Sequence, residues 1–205
     1  MATRGERLTG LLYFVLALIL IASVASFVTW PQSTPAKPPP RAIETTNRIF
    51  LTKEQIRHAA VEDSSLGEVA SLLKVSAPMR YGDFRWDDHK VPPGQVWIRV
   101  DLKRQTLSIF RRGHEIGTAV ILYGTDGKPT PLGTFSVLGK SEKHYSRTYD
   151  APMPNSLWLT NDGVAIHGSD IRWGAATHGC VGVPLKFAAL LFGAATVGDR
   201  VTIIP

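Results

Sequence analysis

The chain contains a single cysteine, Cys180, in 205 residues, so no disulfide can form within it. It also lacks a glycine-rich phosphate loop, internal repeats and the interleaved basic and aromatic residues that are typical of nucleic-acid binding. These absences exclude a disulfide-stabilised scaffold and argue against a nucleic-acid partner. They leave a lone thiol, which is either an inert buried group or a reactive one.

The charge balance is moderately basic, with 23 Lys and Arg against 17 Asp and Glu, a formal net charge of +6. Arg4, Arg7 and Glu6 give the first 30 residues +1, which leaves +5 on the rest of the chain. A basic surface favours an anionic partner such as a cell-wall polymer or lipid head groups. Solubility alone explains the same charge equally well.

The longest uncharged apolar run covers residues 11–28, which is 18 residues. This length is close to the minimum that crosses a hydrocarbon core of about 30 Å. Arg4 and Arg7 precede the run, as is typical of a cytoplasmic N-terminus. Residues 1–30 are therefore predicted to be a cytoplasmic tip and a transmembrane anchor. The alternative is a cleaved signal peptide, because Val24-Ala25-Ser26 supplies small residues near its end. In both cases the remaining residues lie outside the cytoplasm.

Composition divides the remainder into three parts. Residues 31–44 are rich in proline, which favours an extended polyproline II linker. Residues 45–94 are predicted to form a helical and irregular appendage. Two capping boxes, Thr52 to Gln55 and Ser65 to Glu68, predict two short helices in it, the second with an apolar face of Val69, Leu72 and Leu73.

Residues 95–205 show a different pattern, in which apolar residues alternate with a period of two. This pattern predicts short β-strands separated by turns, and therefore a mainly β fold of the sandwich or barrel type. The predicted strands are 96–100, 107–109, 116–122, 134–138, 156–160, 164–167 and 200–204. One helix is predicted after the cysteine, with Pro184 in its first turn.

Two His-Gly motifs identify the candidate chemistry: Ala165-Ile166-His167-Gly168 and Thr177-His178-Gly179-Cys180. A thiolate is a nucleophile, and a nearby imidazole can remove or offset its proton. His167, His178 and Cys180 could instead supply three zinc ligands. However, His178 and Cys180 are only two residues apart, and no HExxH-like helix accompanies them. We therefore expect no metal and no cofactor.

These motifs, taken in order with four other segments, resemble the YkuD-type L,D-transpeptidase catalytic domain. The resemblance covers about half of the chain, from Val96 to Ile204. The other segments are the hairpin 99–109, Thr130-Pro131-Leu132-Gly133-Thr134-Phe135, Ala151-Pro152-Met153-Pro154 before Ser156-Leu157-Trp158, and Gly198-Asp199-Arg200-Val201.

The resemblance implies a role for each matching residue. Cys180 is the expected nucleophile, and His167 is the base that generates its thiolate or the imidazolium that stabilises it. His178 and Gly179 are expected to shape the turn that holds Cys180, and backbone N–H groups near Gly179 and Cys180 to form an oxyanion hole. Gly168 is expected to orient the His167 imidazole through its carbonyl. The predicted substrate-binding residues are Gly168, Ser169, Arg172 and Trp173.

The sequence departs from the family pattern in three respects. Gly182 stands where the family commonly has Arg or Asn, so a polar contact is missing or is supplied from elsewhere, with Arg172 and Arg147 as candidates. The loop between the two motifs, residues 168–176, is short and carries Trp173 near its apex. The peptidoglycan-binding repeats that are usual in the family are absent.

Together these observations predict a membrane-anchored cysteine transpeptidase of the bacterial inner membrane, with its catalytic domain in the periplasm or cell envelope. The resemblance implies that Cys180 attacks a peptidoglycan tetrapeptide stem, that D-alanine leaves, and that an amine of a second stem resolves the thioester to give a 3→3 cross-link. Water would make the same site an L,D-carboxypeptidase, and a lipoprotein amine would make it an attachment enzyme. A scaffold without activity is the rival from another class. The expected partners are stem peptides, and the membrane through the N-terminal helix.

Overall fold

The structure is a computed structural model, and it describes residues 44–45, 47–125 and 127–205. The predicted anchor, and the predicted linker up to residue 43, lie outside the described residues. Within the described ranges, neither α-helix has the length and hydropathy needed to cross a bilayer.

The described part is mainly β, with two α-helices, as the alternating pattern predicts. The helices are α1 (Lys53–Glu62) and α2 (Leu185–Ala194), and a 3-10 helix covers Ser64–Glu68. The strands before the middle of the chain are β1 (Glu44–Thr45), β2 (Arg48–Phe50), β3 (Ser71–Leu73), β4 (Phe84–Trp86), β5 (Val96–Asp101), β6 (Thr106–Arg111) and β7 (His114–Val120). Those after it are β8 (Gly133–Ser136), β9 (Gly139–Ser141), β10 (Tyr145–Ser146), β11 (Ala151–Pro152), β12 (Ser156–Trp158), β13 (Ala165–Ser169), β14 (Val181–Pro184) and β15 (Arg200–Ile204).

The strands form two main sheets and one short ribbon. The larger sheet has the order β1-β2-β3-β7-β6-β5-β15-β8, and β4 also pairs with β7. The smaller sheet has the order β14-β13-β12-β9, and β10 pairs with β11. Strands β13 and β14 are parallel neighbours, and the two His-Gly motifs lie on or next to them.

One hydrophobic core joins the two sheets and α2. Ile98, Leu107 and Ile109 enter it from the larger sheet, all fully buried. Leu157 and Ile166 enter it from the smaller sheet. Helix α2 begins at the end of β14, where Pro184 occupies its N-cap, and it buries Phe187, Ala188 and Leu191. Burial of this apolar surface is the main stabilising contribution to the sandwich, and it fixes the smaller sheet that carries the candidate site.

The segment before residue 95 contains three strands that its predicted helical and irregular character did not include, β2, β3 and β4. Helix α1 has the predicted capping box, in which Thr52 and Gln55 bond each other's backbone N–H groups. The second predicted helix is wrong: Asp63, not Ser65, caps a 3-10 helix that ends at Glu68, and Ser71–Leu73 is strand β3. The backbone of residues 70–73 pairs with Gly113 and with β2, and these tertiary hydrogen bonds override the local helical pattern.

A buried carboxyl group ties β3 to the adjacent hairpin. Glu115 is 5% exposed, and its carboxylate accepts hydrogen bonds from Ser108 Oγ at 2.6 Å and from the Leu73 N–H at 2.8 Å. Arg48 is also buried, and it donates to the Glu115 carbonyl oxygen at 2.6 Å. Burial raises the pKa of the Glu115 carboxyl, and the two hydrogen bonds and the Arg48 charge offset this only in part.

Glu115→Gln is expected to stabilise the protein at neutral pH. Because the pKa of Glu115 is higher in the folded state, folded protein binds the proton more tightly, and stability is lost as the pH rises above the unfolded pKa. Glutamine accepts from the Leu73 N–H through its carbonyl oxygen and donates its amide N–H to Ser108 Oγ, without the buried charge, so we expect a gain on the order of 1 kcal/mol at pH 7.5 and little change near pH 4. Urea denaturation across this pH range measures it, with the exposed Glu142→Gln as control. A Glu115→Gln profile parallel to that of the wild type would contradict the assignment.

Candidate active site

The two His-Gly motifs meet because β13 and β14 are parallel and adjacent. Ile166 pairs with Val181, and His167 pairs with Gly182. Successive side chains of a strand point to opposite faces, so residues two apart share a face. Cys180 lies two residues before Gly182, directly before β14. The register therefore places the His167 and Cys180 side chains on the same face of the smaller sheet.

The other face of these two strands is occupied by the core. Ile166 and Val181 are fully buried in it, and a Cβ at Gly168 would lie 3.2 Å from Ala188 Cβ in α2. On the face of His167, Trp158 in β12 pairs with Ala165 and borders the cavity at Cys180. The packed face thus holds the sheet rigid while the opposite face presents the candidate chemistry.

A tight turn positions Cys180 at the start of β14. Gly179 has φ +100°, a conformation that residues with a side chain rarely adopt. The Cys180 carbonyl accepts hydrogen bonds from Thr177 Oγ1 at 2.5 Å and from Thr130 Oγ1 at 3.4 Å. Thr130 Oγ1 also accepts from the Gly124 N–H at 2.9 Å. The segment that begins at Thr130 therefore contacts the backbone of Cys180 directly.

The Cys180 thiol lies at the turn that precedes β13. Its sulfur is 3.7 Å from the Gly163 carbonyl oxygen, to which the S–H can donate. Burial raises the pKa of the Cys180 thiol, while the Ala165 N–H and the Lys128 charge lower it and Asp162 raises it further. Because burial is the largest of these effects, the resting group is the neutral thiol.

His167 is 8% exposed, and its Nδ1 lies 3.0 Å from the Gly168 carbonyl oxygen. A carbonyl can only accept, so Nδ1 carries the proton of the neutral ring and Nε2 is left as the basic nitrogen. Burial lowers the pKa of His167; the hydrogen bond to Gly168 opposes this, and His144 adds to it. The imidazole is therefore neutral at pH 7 and can accept a proton. This geometry agrees with the orienting role predicted for Gly168.

The pH dependence of Cys180 alkylation tests whether the thiol and the His167 imidazole are both neutral at rest. With the thiol pKa raised and the imidazole pKa lowered, the pair is thiol and neutral imidazole rather than thiolate and imidazolium. The rate of modification by iodoacetamide should then rise about tenfold per pH unit through neutrality, as the thiolate fraction rises. Fast alkylation that is independent of pH below about pH 7 would instead show a thiolate–imidazolium pair.

A cavity of about 220 Å³ opens beside the thiol. Lys128, Tyr149, Asp162 and His178 line it together with Cys180. Lys128 Nζ donates to the Tyr149 hydroxyl at 2.8 Å, and the Tyr149 ring stacks on His178 at 4.4 Å between centroids. Larger cavities of about 710 Å³ beside Arg48 and about 570 Å³ beside Tyr81 contain no thiol.

The structure brings some of the predicted site residues together and leaves others apart. Cys180 and His178 line the cavity, Gly179 forms the turn, and His167 and Gly168 lie on the adjoining strand. Ser169 is half-buried on the same face as Gly182, where a Cβ added at Gly182 would lie 3.1 Å from Ser169 Cβ. Ser169 thus fills space that a larger side chain at position 182 would need.

Arg172 and Trp173 do not line the cavity, so the structure gives no support to their predicted substrate contacts. Arg172 Nε lies 3.5 Å from Asp170 Oδ2, and both side chains are about three-quarters exposed. Trp173 is 83% exposed, and its ring contacts the edge of Tyr81. Arg172 pairs within the short loop and Trp173 contacts Tyr81 outside it, so neither side chain borders the cavity at Cys180.

The sequence motifs give no signal for Lys128, Tyr149 and Asp162, which all line the cavity. They lie on three separate loops that no periodic pattern or spacing connects, so only the folded chain shows their proximity. No group of three or more His, Cys, Asp or Glu side chains arranged to hold a metal ion occurs in residues 47–125 and 127–205.

A thiol and a neutral imidazole on one face of a rigid sheet, beside a cavity, define a candidate site for acyl transfer through a cysteine. The family model for the L,D-transpeptidase catalytic domain, YkuD, matches residues 95–203, just over half of the chain. The chain belongs to the YkuD family of L,D-transpeptidases.

Individual relatives agree with this family. L,D-transpeptidase 1 of Mycobacterium tuberculosis (strain H37Rv) is 26% identical over 120 residues, covering 50% of this chain and 48% of the relative. An L,D-transpeptidase structure from Mycobacterium smegmatis has a TM-score of 0.50 at 23% identity, covering 54% of this chain and 59% of the other. A structure of LD transpeptidase LdtMt1 in complex with imipenem has a TM-score of 0.50 at 19% identity, covering 82% and 100%. These structures support the fold, and this chain spans about half the length of the curated relatives it matches.

Proposed function

We propose that this protein is a peptidoglycan L,D-transpeptidase that forms 3→3 cross-links between tetrapeptide stems through a thioester on Cys180. The observation that carries the proposal is the parallel register of β13 and β14. It puts the thiol and the His167 imidazole on the same face, next to a cavity.

In the proposed acylation step, His167 Nε2 removes the thiol proton as the sulfur attacks the carbonyl of the third residue of the donor stem. A C–S bond forms, the C–N bond to the terminal D-alanine breaks, and the proton passes from His167 to the departing amine. The Gly168 carbonyl supports this step because it fixes the ring with Nε2 unprotonated. The neutral thiol at rest requires such a base.

Stabilisation of the tetrahedral intermediate is assigned to backbone N–H groups of the turn at Gly179 and Cys180. One such donor is worth about 3 kcal/mol in comparable acyl-transfer sites. The turn that presents these groups is held by Thr177 and Thr130 through the Cys180 carbonyl. His178 is assigned a structural role in the same turn, supported by its stacking on Tyr149.

Gly182 does not remove the polar character of the cavity. A Cβ two residues after the cysteine would meet Ser169, Ile171 and Leu122, none of which lines the cavity, and the polar groups of the cavity, such as Lys128, come from other segments. The proposal of an active enzyme therefore accounts for this departure. We further propose that residues 11–28 anchor the protein in the bacterial inner membrane, with the catalytic domain in the cell envelope.

The products formed from a disaccharide tetrapeptide test the proposal. The full chain should release D-alanine and give a 3→3 cross-linked dimer, which tandem mass spectrometry distinguishes from a tripeptide. A tripeptide as sole product would identify an L,D-carboxypeptidase, in which water is the acceptor. An unchanged tetrapeptide, from protein shown to be folded by circular dichroism, would contradict the proposed activity.

A further inference from the structure

Two opposite charges lie in the cavity of Cys180, and the acylation chemistry described above uses neither. Lys128 and Asp162 come from separate loops and both line the cavity. They attract each other, yet they do not form one of the direct ion pairs found between described residues. The cavity beside the thiol is therefore positive at one point and negative at another.

A direct contact holds Lys128, and Asp162 is placed near the thiol by its neighbour in the chain. Lys128 Nζ donates to the Tyr149 hydroxyl at 2.8 Å, and the Tyr149 ring lies nearly parallel to the His178 ring, at 13°. Asp162 directly precedes Gly163, whose carbonyl oxygen is 3.7 Å from the Cys180 sulfur. Both charges are close enough to act on the thiol, Lys128 favouring the thiolate and Asp162 opposing it.

We propose that Lys128 and Asp162 bind the carboxylate and the amine of the acceptor, so that the enzyme prefers an amine whose neighbouring carbon carries a carboxylate. The inference rests on the proposed function and answers the question of the acceptor, which the sequence left open. An α-amino acid centre carries one charge of each sign on groups bonded to the same carbon, and so it offers a partner of the right sign to each of the two residues. The amine of a lysine side chain satisfies only Asp162, and water satisfies neither.

The leaving group supports the same assignment. The terminal D-alanine of the donor departs with an amine next to a carboxylate, which is the same pair of groups. Attack by free D-alanine on the thioester is the exact reverse of this departure, so microscopic reversibility makes D-alanine use the same side of the carbonyl in both directions. An acceptor with the same pair of groups is expected to take the same place. A site that releases an α-amino acid is therefore shaped to receive one.

The resolving step is balanced without any additional reactant. The bound ammonium loses one proton to solvent, and its nitrogen attacks the thioester carbonyl carbon. A C–N bond forms, the C–S bond breaks, and Cys180 leaves as the thiolate. The second amine proton passes to His167 and from there to the sulfur, which restores the thiol and the neutral imidazole.

Glycine and glycinamide are matched probes for this site. Both carry a primary amine on a methylene carbon, but only glycine has a carboxylate. The carboxylate of glycine favours the protonated amine, so glycinamide has more free amine at a given pH and is the better acceptor in solution. With the full chain and a tetrapeptide donor, mass spectrometry gives the ratio of aminolysis to hydrolysis for each probe. This ratio is independent of the acylation rate, because both products come from one acyl-enzyme.

The wild type should prefer glycine, and Lys128→Gln should lower its aminolysis ratio about three- to tenfold while leaving that of glycinamide nearly unchanged. Asp162→Asn should lower the ratio for both probes, because both carry the amine. Lys128→Arg keeps the charge and should retain most of the preference. Lys186→Gln and Asp170→Asn change exposed charges outside the cavity and are the matched controls.

The outcomes separate this inference from the function on which it rests. Equal ratios for the two probes in the wild type, or a glycine ratio unaffected by Lys128→Gln, would overturn the inference while hydrolysis still showed an active acyl-enzyme. Absence of both products in the wild type would overturn the proposed function and this inference with it.

Discussion

Cys180→Ser and His167→Ala are each expected to lower the rate of cross-link formation by about 10³-fold or more. Serine has nearly the same shape as cysteine, but its hydroxyl is a much weaker nucleophile, and the site has a base matched to a thiol. Alanine at position 167 removes the proposed base. Burial raises the pKa of the Cys180 thiol, so little thiolate is present at neutral pH to react without that base. Rates are measured from the appearance of 3→3 dimer.

Both variants should remain folded, because neither residue contributes to the apolar core. Circular dichroism and thermal denaturation provide this check. His178→Phe keeps an aromatic ring against Tyr149 and is the matched control, for which we expect a smaller loss than for His167→Ala. Cross-linking by Cys180→Ser at the wild-type rate would remove the thiol from the mechanism, and a loss for His178→Phe equal to that for His167→Ala would place His178 among the catalytic residues.

Gly124→Ala should lower the rate of dimer formation about 10²-fold although Gly124 carries no reactive group. A Cβ at this position would overlap the Lys128 carbonyl oxygen and would lie 2.8 Å from Thr130 N and 2.9 Å from Gly179 N. All three are backbone atoms, so no side-chain rotation relieves the overlap, and the turn that holds Cys180 must move. A displacement of about 1 Å at a reacting group can cost about 10²-fold in rate. Overpacking of this kind also costs about 1–3 kcal/mol of stability.

Gly127→Ala in the same loop is the matched control for this substitution. A Cβ at Gly127 meets no atom within 4 Å, so we expect nearly unchanged activity and stability. Kinetics of dimer formation and urea denaturation measure both properties. Wild-type activity in Gly124→Ala would show that the position of the Cys180 turn does not depend on its contact with the 124–130 loop.

The sequence predicts those elements whose pattern is local. Alternating apolar residues correctly predict β5, β6, β7 and β13, because each of these strands buries one face against the core. The helix after Cys180 is also correct, since its apolar side and Pro184 at its start are adjacent in the chain. The error at Ser71–Leu73 arises because the hydrogen bonds that make it a strand come from β2 and Gly113, which are distant in sequence.

The candidate site also contains residues that a local sequence pattern identifies and residues that only the folded chain brings together. The two His-Gly motifs are contiguous signals, and they identify Cys180, His167 and the turn at Gly179. Lys128 and Asp162 give no such signal, because a single charged residue on a loop is usually solvated, and only the folded chain shows that both border the same cavity. The sequence also showed that Gly182 departs from the family pattern, but not that Ser169 occupies the adjacent space.

The most direct test of the central claim is the mass of the acyl-enzyme. The full chain is incubated with the tetrapeptide donor, quenched in acid and digested, and the site of the added mass is mapped by tandem mass spectrometry. We expect an adduct equal to the donor minus D-alanine on Cys180, absent in Cys180→Ala and strongly reduced in His167→Ala. Formation of cross-linked product by Cys180→Ala, or an adduct on a residue other than Cys180, would contradict it.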